Sequence, residues 1–563
     1  NAFFSSQRYL LLIILAGGFL LFFRIGDRAL YSKDEGRYAE IPREMVEMRD
    51  YVTPRLNYVL YFEKPALSYW LTAGSYRLFG VNEGAARFPL SALGLLTLVA
   101  TFVFGRRLFG ERPGFIGAMV LLMTIGFFLV SRFLVIDGPF TFFFAVSLFC
   151  FLDGWMNDRP ASMRGFYVFM GLAVLTKGLI GVVLPGLIIL CWAAVARERL
   201  SLRRMRIPSG AALFLLVTAP WFVAVTLKHP SFFDFFFIRE HFMRYLTPIA
   251  QREEPFYYFL IVGAVFFLPW TLLIPAFVKQ AWSDSDPRRR KTLAFLHCWW
   301  AVVIVFFSLS KSKLPPYILP MTPPLAMIAG VYLSDFYSQL SGMRYIRKSL
   351  LLFTAVIACL IPYILWEFVT SLKTDADAPL VFPHAIALIT LFTLLAAAIA
   401  VILRIWKKTG NAPSRRLRAA PFIAFVMLFM FGYAVIILAM ERMNTSQSAR
   451  DLAMAIRNSS PAKSVVCAYG GYERWSDCAF YLKQRITVVG DNAGELTFGR
   501  DADPAGNKPY FISLDEFKEL ARRDDPVYML IKKNGFSEIS GELPPMTVLA
   551  ETPKGLVITN KMD

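Results

Sequence analysis

Long apolar runs recur from the N-terminus to about residue 440, and they constrain the fold more than any other feature of this 563-residue chain. Hydrophobic residues make up 56% of the sequence, more than in ordinary soluble domains. A run of about 20 apolar residues crosses a bilayer as an α-helix, because a helix satisfies all of its own backbone hydrogen bonds. The runs therefore predict a polytopic α-helical membrane protein.

About 13 transmembrane helices are predicted from the runs. The first, which begins near Tyr9, is not followed by a small-residue cleavage site, so we expect a retained anchor rather than a signal peptide. The predicted spans are residues 8–24, 88–105, 113–131, 138–153, 165–177, 178–196, 208–226, 256–277, 292–309, 316–334, 349–370, 385–404 and 420–440.

The loops between these spans fall into two sets by charge. With the N-terminus inside, all the inside loops are rich in Lys and Arg, as expected on the cytoplasmic side of a membrane. This topology explains much of the net charge of +19, which in a soluble protein would indicate nucleic acid as a partner. The basic loops are residues 105–114, 156–165, 196–206, 284–291, 342–348 and 404–418.

The outer side is predicted to carry a long first loop, 25–87, and a C-terminal domain, 441–563, leaving residues 1–440 as the transmembrane domain. In the first loop, apolar residues recur at helical spacing from Tyr38 to Met48, with acidic residues and Arg between them. This pattern predicts an amphipathic helix that lies on the membrane surface.

The C-terminal domain is predicted to be a small α/β unit, because short β-rich stretches accompany the helical stretch 513–524. Its two cysteines, Cys467 and Cys478, would pair as a disulfide if this domain is in an oxidising compartment. The predicted strands lie within residues 464–471, 485–491, 526–534, 547–552 and 555–560.

Two acidic positions stand out on the outer side. After the first span, Ser32 and Glu35 fit a capping box and Asp34 suits the first turn of a helix, which is a purely structural interpretation. Asp137 lies between two apolar runs, where an unpaired carboxylate is costly, although it also suits a helix cap. The topology places Asp34 and Asp137 on one face, where two carboxylates would bind a cation or orient a nucleophile.

Several cations lie on the outer side against the positive-inside bias. Taken singly, Lys64, Lys177 or Lys311 is explained by snorkelling of a long side chain to the membrane surface. Lys313 is the exception, because two prolines follow it and Tyr317 is close by in the sequence. Taken together, they indicate recognition of a lipid phosphate. The other outer cations of this kind are Arg37, Arg43, Arg55, Arg239 and Arg244.

A metal site is one hypothesis for the outer loop that contains His229 and His241. Glu63, His241 or an Asp would then hold a divalent ion, Zn or Mg. The alternative is that both histidines are ordinary surface residues.

Six motifs, in this order along the chain, resemble the GT-C membrane glycosyltransferases, and among these the aminoarabinose (4-amino-4-deoxy-L-arabinose) lipid A transferases, relatives of the protein O-mannosyltransferases. They lie between residues 31 and 320, and the C-terminal domain carries little of the resemblance. The last motif departs from the family pattern at Ser312 and Pro316, which leaves the roles of Lys311 and Lys313 open. The motifs are "YSKDEGRYAEIPREM", "YFEKPALSYWL", "SRFLVIDGPFTFF", "LTKGLIG", "EHFMRYL…EPFYYF" and "KSKLPPYILP".

The resemblance implies an enzyme of the bacterial inner membrane whose active site faces the periplasm. Its donor would be undecaprenyl phosphate-linked aminoarabinose and its acceptor a lipid A phosphate, giving resistance to cationic peptides such as polymyxin. Asp34 would be the catalytic carboxylate, with Asp137 and Glu35 as companions, and Lys64 would hold the donor phosphate. The full predicted donor-binding set is Lys64, Arg37, Tyr61, Lys177, Arg244, Lys311, Lys313 and Tyr317.

Two other functions are weighed against this one. A protein O-mannosyltransferase would share the early motifs, but its hydroxyl acceptor needs a general base. A transporter of lipid-linked substrates would have a similar number of spans, but transporters usually show internal repeats and charges near the bilayer midplane. The sequence shows no visible repeat, and its candidate residues cluster at one face.

Overall fold

The computed structural model describes residues 2–31, 33–247, 252–339, 426–438, 447–459 and 464–561, together with single residues between 348 and 404. In these ranges the α-helices of the membrane part are α1 (Ala2–Phe22), α2 (Asp34–Met48), α3 (Leu67–Phe79), α4 (Glu83–Phe109), α5 (Glu111–Leu122), α6 (Ile125–Val130), α7 (Asp137–Met156), α8 (Pro160–Lys177), α9 (Ile180–Val195), α10 (Leu202–Met205), α11 (Ile207–Lys228), α12 (Arg244–Leu246), α13 (Tyr258–Phe266), α14 (Ile274–Ser283), α15 (Pro287–Leu309), α16 (Thr322–Gln339) and α17 (Val426–Leu438).

The C-terminal part adds α18 (Arg450–Ser459), α19 (Ser476–Leu482), α20 (Thr497–Ala502), α21 (Pro504–Asn507), α22 (Leu514–Ala521) and α23 (Lys533–Ile539). A π-helix spans Asp234–Met243, and short 3₁₀ turns include Pro315–Met321 and Gly494–Leu496. The strands are β1 (Arg55–Leu56), β2 (Val59–Leu60), β3 (Val465–Tyr469), β4 (Thr487–Val489), β5 (Phe511–Ile512), β6 (Val527–Ile531), β7 (Thr547–Thr552) and β8 (Gly555–Thr559).

The helices confirm a polytopic membrane protein. Within the described residues, five helices are long and apolar enough to cross a bilayer, and a pair bent by 107° makes a sixth if it is counted as one span. The total of about 13 stays a prediction, since predicted spans 349–370 and 385–404 fall almost wholly outside the described residues. The five helices are Glu83–Phe109, Asp137–Met156, Leu202–Lys228, Pro287–Leu309 and Pro315–Ser338.

Helix α7 is the centre of the bundle, because almost all of its side chains are buried. Its apolar residues face every direction, which is the pattern of a helix enclosed by others. It packs against α8 and α4, and aromatic rings such as Phe144 and Phe149 contact Trp299 of α15. This packing fixes the first residue of the helix, Asp137, at the end of the bundle.

The C-terminal part is built on a six-stranded sheet in the order β5-β4-β3-β6-β8-β7. Strands β5, β4, β3 and β6 are parallel to one another, and β8 is antiparallel to both of its neighbours, β6 and β7. The five predicted strands and the predicted helix are confirmed. Among the strands, only the two-residue β5 was not predicted. The conditional pairing of Cys467 in β3 with Cys478 in α19 is not present in this structure, where both are buried free thiols.

Helix α2 is confirmed as a helix, and its predicted place on the membrane surface stays a prediction. It packs against α19 of the C-terminal part, which buries the charged residues Glu40, Arg43 and Glu44. The guanidinium of Arg43 donates to both carboxylate oxygens of Glu40, at 2.7 and 2.6 Å. This pairing lets a charged helix face enter an interface, which periodicity alone does not reveal.

The contact between α2 and α19 depends on Gly36. A Cβ atom at this position would lie 2.4 Å from the backbone nitrogen of Asp477. We expect Gly36→Ala to push the C-terminal part away and to destabilise the protein by about 1–3 kcal/mol, measured as faster proteolysis of the C-terminal part. Gly74→Ala is the matched control, because no atom lies within 4 Å of its Cβ position. Equal proteolysis of the two variants would contradict this role of Gly36.

Candidate active site

A cavity of about 460 Å³ lies where α8 and α15 end and α9 begins. Its wall includes charged and polar side chains as well as aliphatic and aromatic ones. The polar part comprises Lys64, Lys177, Glu240, His241, Arg244, Ser310, Ser312, Tyr245 and Tyr317. The apolar part comprises Leu179, Ile180, Val183, Phe242, Leu246, Phe306 and Phe307. Such a wall suits a ligand with an anionic head and a hydrocarbon tail.

Lys64 and Arg244 are two cations of this wall, and both belong to segments outside the long helices. The Lys64 ammonium donates to the carbonyl of Glu63 at 2.8 Å. Burial, followed by repulsion from Arg244, lowers the pKa of Lys64 to about 8. Arg244 pairs with Glu240 at 2.6 Å and with Glu63 at 3.6 Å. The two cations are therefore held in place before any ligand arrives.

Lys177 is the third cation, and it pairs with Asp137. Lys177 ends α8 and Asp137 begins α7, so two adjacent helices bring these residues together at the same end of the bundle. The Lys177 ammonium also lies 4.3 Å from the ring centre of Tyr317, close enough for a cation–π contact. The predicted residues Asp137, Lys177 and Tyr317 thus form one cluster at the cavity.

Asp34 is the first residue of α2, and its carboxylate pairs with Arg37 one turn later. The Asp34 side chain keeps 53% of its surface exposed, while Arg37 is buried. Arg37 also donates to the Tyr61 hydroxyl at 3.1 Å and pairs with Glu495 of the C-terminal part. A buried arginine therefore holds a solvent-facing carboxylate at the start of a helix.

Tyr38 links Asp34 to the residues near the cavity. Burial raises the pKa of Tyr38 against the opposing charge of Arg37, and the carboxylates of Asp34, Glu63 and Asp137 raise it further. All three carboxylates therefore act on one phenol. The carboxylates of the first loop and of α7 are thus close enough to the Tyr38 hydroxyl to affect its pKa.

Glu35, by contrast, is placed in the protein interior and not in the site. Its carboxylate accepts hydrogen bonds from Arg28 at 2.9 Å and from Arg87 at 2.8 Å, and from the backbone N–H groups of Tyr31 and Leu134. Burial would raise the pKa of Glu35, but the two arginines outweigh it and lower this pKa to about 2. We therefore assign Glu35 a positioning role instead of the predicted catalytic one. Ser32, its predicted capping partner, lies outside the described residues.

Lys311 and Lys313 do not line the cavity. The Lys313 ammonium donates to the carbonyl oxygens of Ser310 and Glu254, at 2.7 and 2.9 Å. Lys311 is exposed and lies 3.5 Å from Glu253. Both lysines thus connect the loop after α15 to the neighbouring loop. These contacts give neither lysine a place in the lining of the cavity.

The predicted metal site gains no support from the geometry. Among the described residues, no group of three or more His, Cys, Asp or Glu side chains is close enough to hold a metal ion. Both ring nitrogens of His241 face backbone atoms, Nδ1 the Phe236 carbonyl at 2.6 Å and Nε2 the Leu179 N–H at 3.2 Å. His241 lies against Gly178, where the φ of 86° and the lack of a Cβ allow this approach. These contacts give His241 the role of anchoring the π-helix.

Three residues of the site were missed in the sequence. Glu240 was detectable, because it lies four residues before Arg244 on one helical face. Tyr38 was assigned only to an amphipathic face. Glu495 lies 458 positions from its partner Arg37, and no local pattern marks it.

Two family models match the chain. Residues 63–223 match the family described as dolichyl-phosphate-mannose-protein mannosyltransferase. Residues 452–560 match the aminoarabinose transferase C-terminal domain. The first match contains Lys64, Asp137 and Lys177, and the second contains Glu495.

Curated relatives carry a more specific name. A protein of Pseudomonas fluorescens named undecaprenyl phosphate-alpha-4-amino-4-deoxy-L-arabinose arabinosyl transferase 2 is 34% identical over 59% of this chain. That alignment spans 60% of the relative's own length. A protein of Yersinia enterocolitica named undecaprenyl phosphate-alpha-4-amino-4-deoxy-L-arabinose arabinosyl transferase is 27% identical over 92% of both chains.

Solved structures extend the similarity to the whole fold. The crystal structure of ArnT from Cupriavidus metallidurans bound to undecaprenyl phosphate matches with a TM-score of 0.85 and 29% identity, over 99% of this chain and 98% of that one. The archaeal oligosaccharyltransferase AglB from Archaeoglobus fulgidus matches with a TM-score of 0.53 and 13% identity, over 93% and 69% of the two chains, which concerns the fold alone. The chain is therefore similar to the aminoarabinose transferases in its C-terminal domain, in sequence over most of its length and in its GT-C membrane fold.

Proposed function

We propose that this protein transfers 4-amino-4-deoxy-L-arabinose from undecaprenyl phosphate to a phosphate group of lipid A, at the periplasmic face of the bacterial inner membrane. The observation that carries the proposal is the cavity. Three cations, Lys64, Lys177 and Arg244, line it together with apolar side chains suited to a polyprenyl chain. The names of the curated relatives supply the identity of the sugar.

The placement of the site supports a periplasmic reaction. Helices α7, α8 and α15 each have one end near the cavity, at Asp137, Lys177 and Leu309. Their opposite ends adjoin the basic loops 156–165 and 284–291. Because basic loops face the cytoplasm, the site faces the other side.

The cations act on the leaving group. In the transfer, the bond between the sugar anomeric carbon and the donor phosphate oxygen breaks, and its electron pair leaves with undecaprenyl phosphate. An oxygen of the acceptor phosphate forms the new bond to that carbon. Lys64, Arg244 and Lys177 stabilise the charge that develops on the departing phosphate, and such preorganised charge is usually the largest catalytic contribution.

Asp34 acts on the acceptor side or on the sugar ammonium. A lipid A phosphate is already anionic at pH 7, so the reaction does not depend on a strong general base. The carboxylate of Asp34 is exposed and held by Arg37. It can therefore orient an incoming acceptor, accept its last proton, or pair with the amino group of the sugar.

The test is mass spectrometry of lipid A from a strain that makes the donor but lacks its own transferase. Expression of the intact chain is expected to add aminoarabinose to lipid A, and expression of Asp34→Ala is not. No mass gain from a well-expressed intact chain would contradict the proposal.

A second candidate is transfer from a polyprenyl phosphate to a protein hydroxyl, which the match of residues 63–223 favours. The same strain distinguishes the two functions. Unmodified lipid A together with glycosylated membrane or secreted proteins would support this second candidate.

The affinity for undecaprenyl phosphate is expected to depend on pH through Lys64. Its pKa is lowered to about 8, so the ammonium is charged below that pH and becomes neutral above it. We expect the dissociation constant of undecaprenyl phosphate to rise by about tenfold between pH 7 and pH 9, because the anion loses one of its cations.

Lys64→Arg is the control for this measurement, because a guanidinium keeps its charge throughout this range. Its affinity should change much less between pH 7 and pH 9. An equally steep loss in the variant would show that another group controls the pH dependence.

A further inference from the structure

Ser312 is a polar residue of the cavity wall whose hydroxyl makes no hydrogen bond within the described residues. The residue is 4% exposed and lines the cavity together with Lys64, Arg244 and Tyr317. Its Oγ atom has no hydrogen-bond partner among the described residues. A buried hydroxyl without a partner is costly, so its presence beside a binding cavity needs an explanation.

The turn that carries Ser312 is fixed by other groups. The Ser312 backbone N–H donates to the Ser310 hydroxyl at 3.2 Å, and the Ser310 hydroxyl donates to the Ser312 carbonyl at 3.1 Å. The N–H groups of Lys311 and Lys313 donate to the carbonyls of Tyr245 and Arg252, at 3.1 and 3.0 Å. The turn is thereby tied to the segment that follows Arg244, one of the cavity cations.

The cations of the cavity, in contrast, already have hydrogen-bond or ion-pair partners in the protein. Lys64 donates to a backbone carbonyl, Lys177 pairs with Asp137, and Arg244 pairs with Glu240. Each of them shares its charge with a protein group when it meets an anion. The Ser312 hydroxyl, in contrast, has no hydrogen bond within the described residues to lose when a ligand binds. Rotation about its Cα–Cβ bond moves the hydroxyl between staggered positions.

We propose that the Ser312 hydroxyl donates a hydrogen bond to a non-bridging phosphate oxygen of the polyprenyl phosphate that occupies this cavity. The inference rests on the proposed function, because it takes the phosphate of the carrier lipid as the ligand. Residues of the motif "KSKLPPY" would then have two separate roles. Lys311 and Lys313 fix the loop, whereas Ser312 and Tyr317 face the ligand.

The test compares two lipids and a set of variants of the purified full-length protein in lipid nanodiscs. Undecaprenyl phosphate is the probe, and undecaprenol, which lacks the phosphate, is the reference ligand. Ser312→Ala is expected to weaken binding of undecaprenyl phosphate by about tenfold, as for loss of one hydrogen bond to a charged group. Binding of undecaprenol should be unchanged, because the hydrogen bond needs the phosphate oxygen.

Ser308→Ala is the matched control. The Ser308 hydroxyl is also buried and lacks a partner among the described residues, yet Ser308 does not line the cavity. We expect its affinity for both lipids to equal that of the wild type. Ser312→Thr keeps a hydroxyl and is expected to restore most of the affinity that Ser312→Ala loses, which a role in packing alone would not explain.

The outcomes separate this inference from the proposed function. If the wild type binds undecaprenyl phosphate and Ser312→Ala binds it equally well, the role of Ser312 is overturned while the proposed function stands. If Ser312→Ala weakens both lipids to the same extent, the residue acts on the shape of the cavity, and the inference is again overturned. If the wild type does not prefer undecaprenyl phosphate to undecaprenol, both the inference and the proposed function fail.

Discussion

Asp34→Ala is expected to lower transfer to lipid A by at least about 100-fold, with little change in stability. The Asp34 side chain is 53% exposed and makes one ion pair, with Arg37. Arg37 keeps its second carboxylate partner, Glu495, in the variant. The loss therefore falls on the chemistry and not on the fold. It is measured as the fraction of modified lipid A at equal amounts of membrane protein.

Asp27→Ala is the matched control for this prediction. Asp27 lies in the same loop, is similarly exposed, and pairs with an arginine three residues away, Arg24. It is expected to transfer at the wild-type rate. Wild-type transfer by Asp34→Ala would remove Asp34 from the catalytic site, and equal losses in both variants would point to a general effect of charge in the loop.

Glu35→Gln is expected to have the opposite effect, a large loss of stability. The carboxylate of Glu35 is 1% exposed and holds Arg28 and Arg87, whose side chains are 8% and 1% exposed. Removal of the charge leaves two buried guanidinium groups without their counter-ion, which costs about 3–5 kcal/mol. The measurement is thermal unfolding of the purified protein in detergent.

The acid limit of stability has the same origin. Because the Glu35 pKa is lowered from 4.5 to about 2, its contribution to folding is complete above about pH 4.5 and is lost as the pH falls toward 2. Unfolding temperatures of the wild type and of Glu35→Gln should therefore converge in acid.

Glu47→Gln is the control for the Glu35 prediction. Glu47 lies on the same helix, is 49% exposed, and pairs with Arg43. Its loss should change stability by less than about 1 kcal/mol. A Glu35→Gln protein that unfolds like the wild type but does not transfer aminoarabinose would show that Glu35 takes part in the chemistry after all.

Asp34 and Glu35 differ in burial and in side-chain direction, and the sequence alone does not predict this difference. In the sequence the two residues form one acidic pair at the start of a predicted helix, and nothing local separates them. In the structure Asp34 faces solvent, while Glu35 accepts a hydrogen bond from the backbone of Leu134, three residues before Asp137. The direction of each side chain depends on which surface of α2 meets the rest of the protein.

A second contrast concerns the cations. The bias of basic residues toward the cytoplasmic loops made the outer lysines conspicuous, and Lys64 and Lys177 do line the cavity. Lys311 and Lys313 were equally conspicuous, but their ammonium groups face Glu253 and backbone carbonyls. Charge count and topology predict a common face for these lysines, but they do not separate a cation that lines the cavity from one that contacts a neighbouring loop.

The sequence by itself determined the membrane class and the strands of the C-terminal domain. It also predicted the side of the membrane on which the site lies and the segments that carry the candidate residues. These features follow from local patterns, because the length and spacing of apolar residues report burial along one element at a time. The tertiary structure alone decided that Glu495 pairs with Arg37, that α2 is buried under the C-terminal domain, and that Ser312 joins the cavity wall. Such contacts join residues far apart in the chain, and their energies depend on the burial and neighbouring charges that only the packed structure creates.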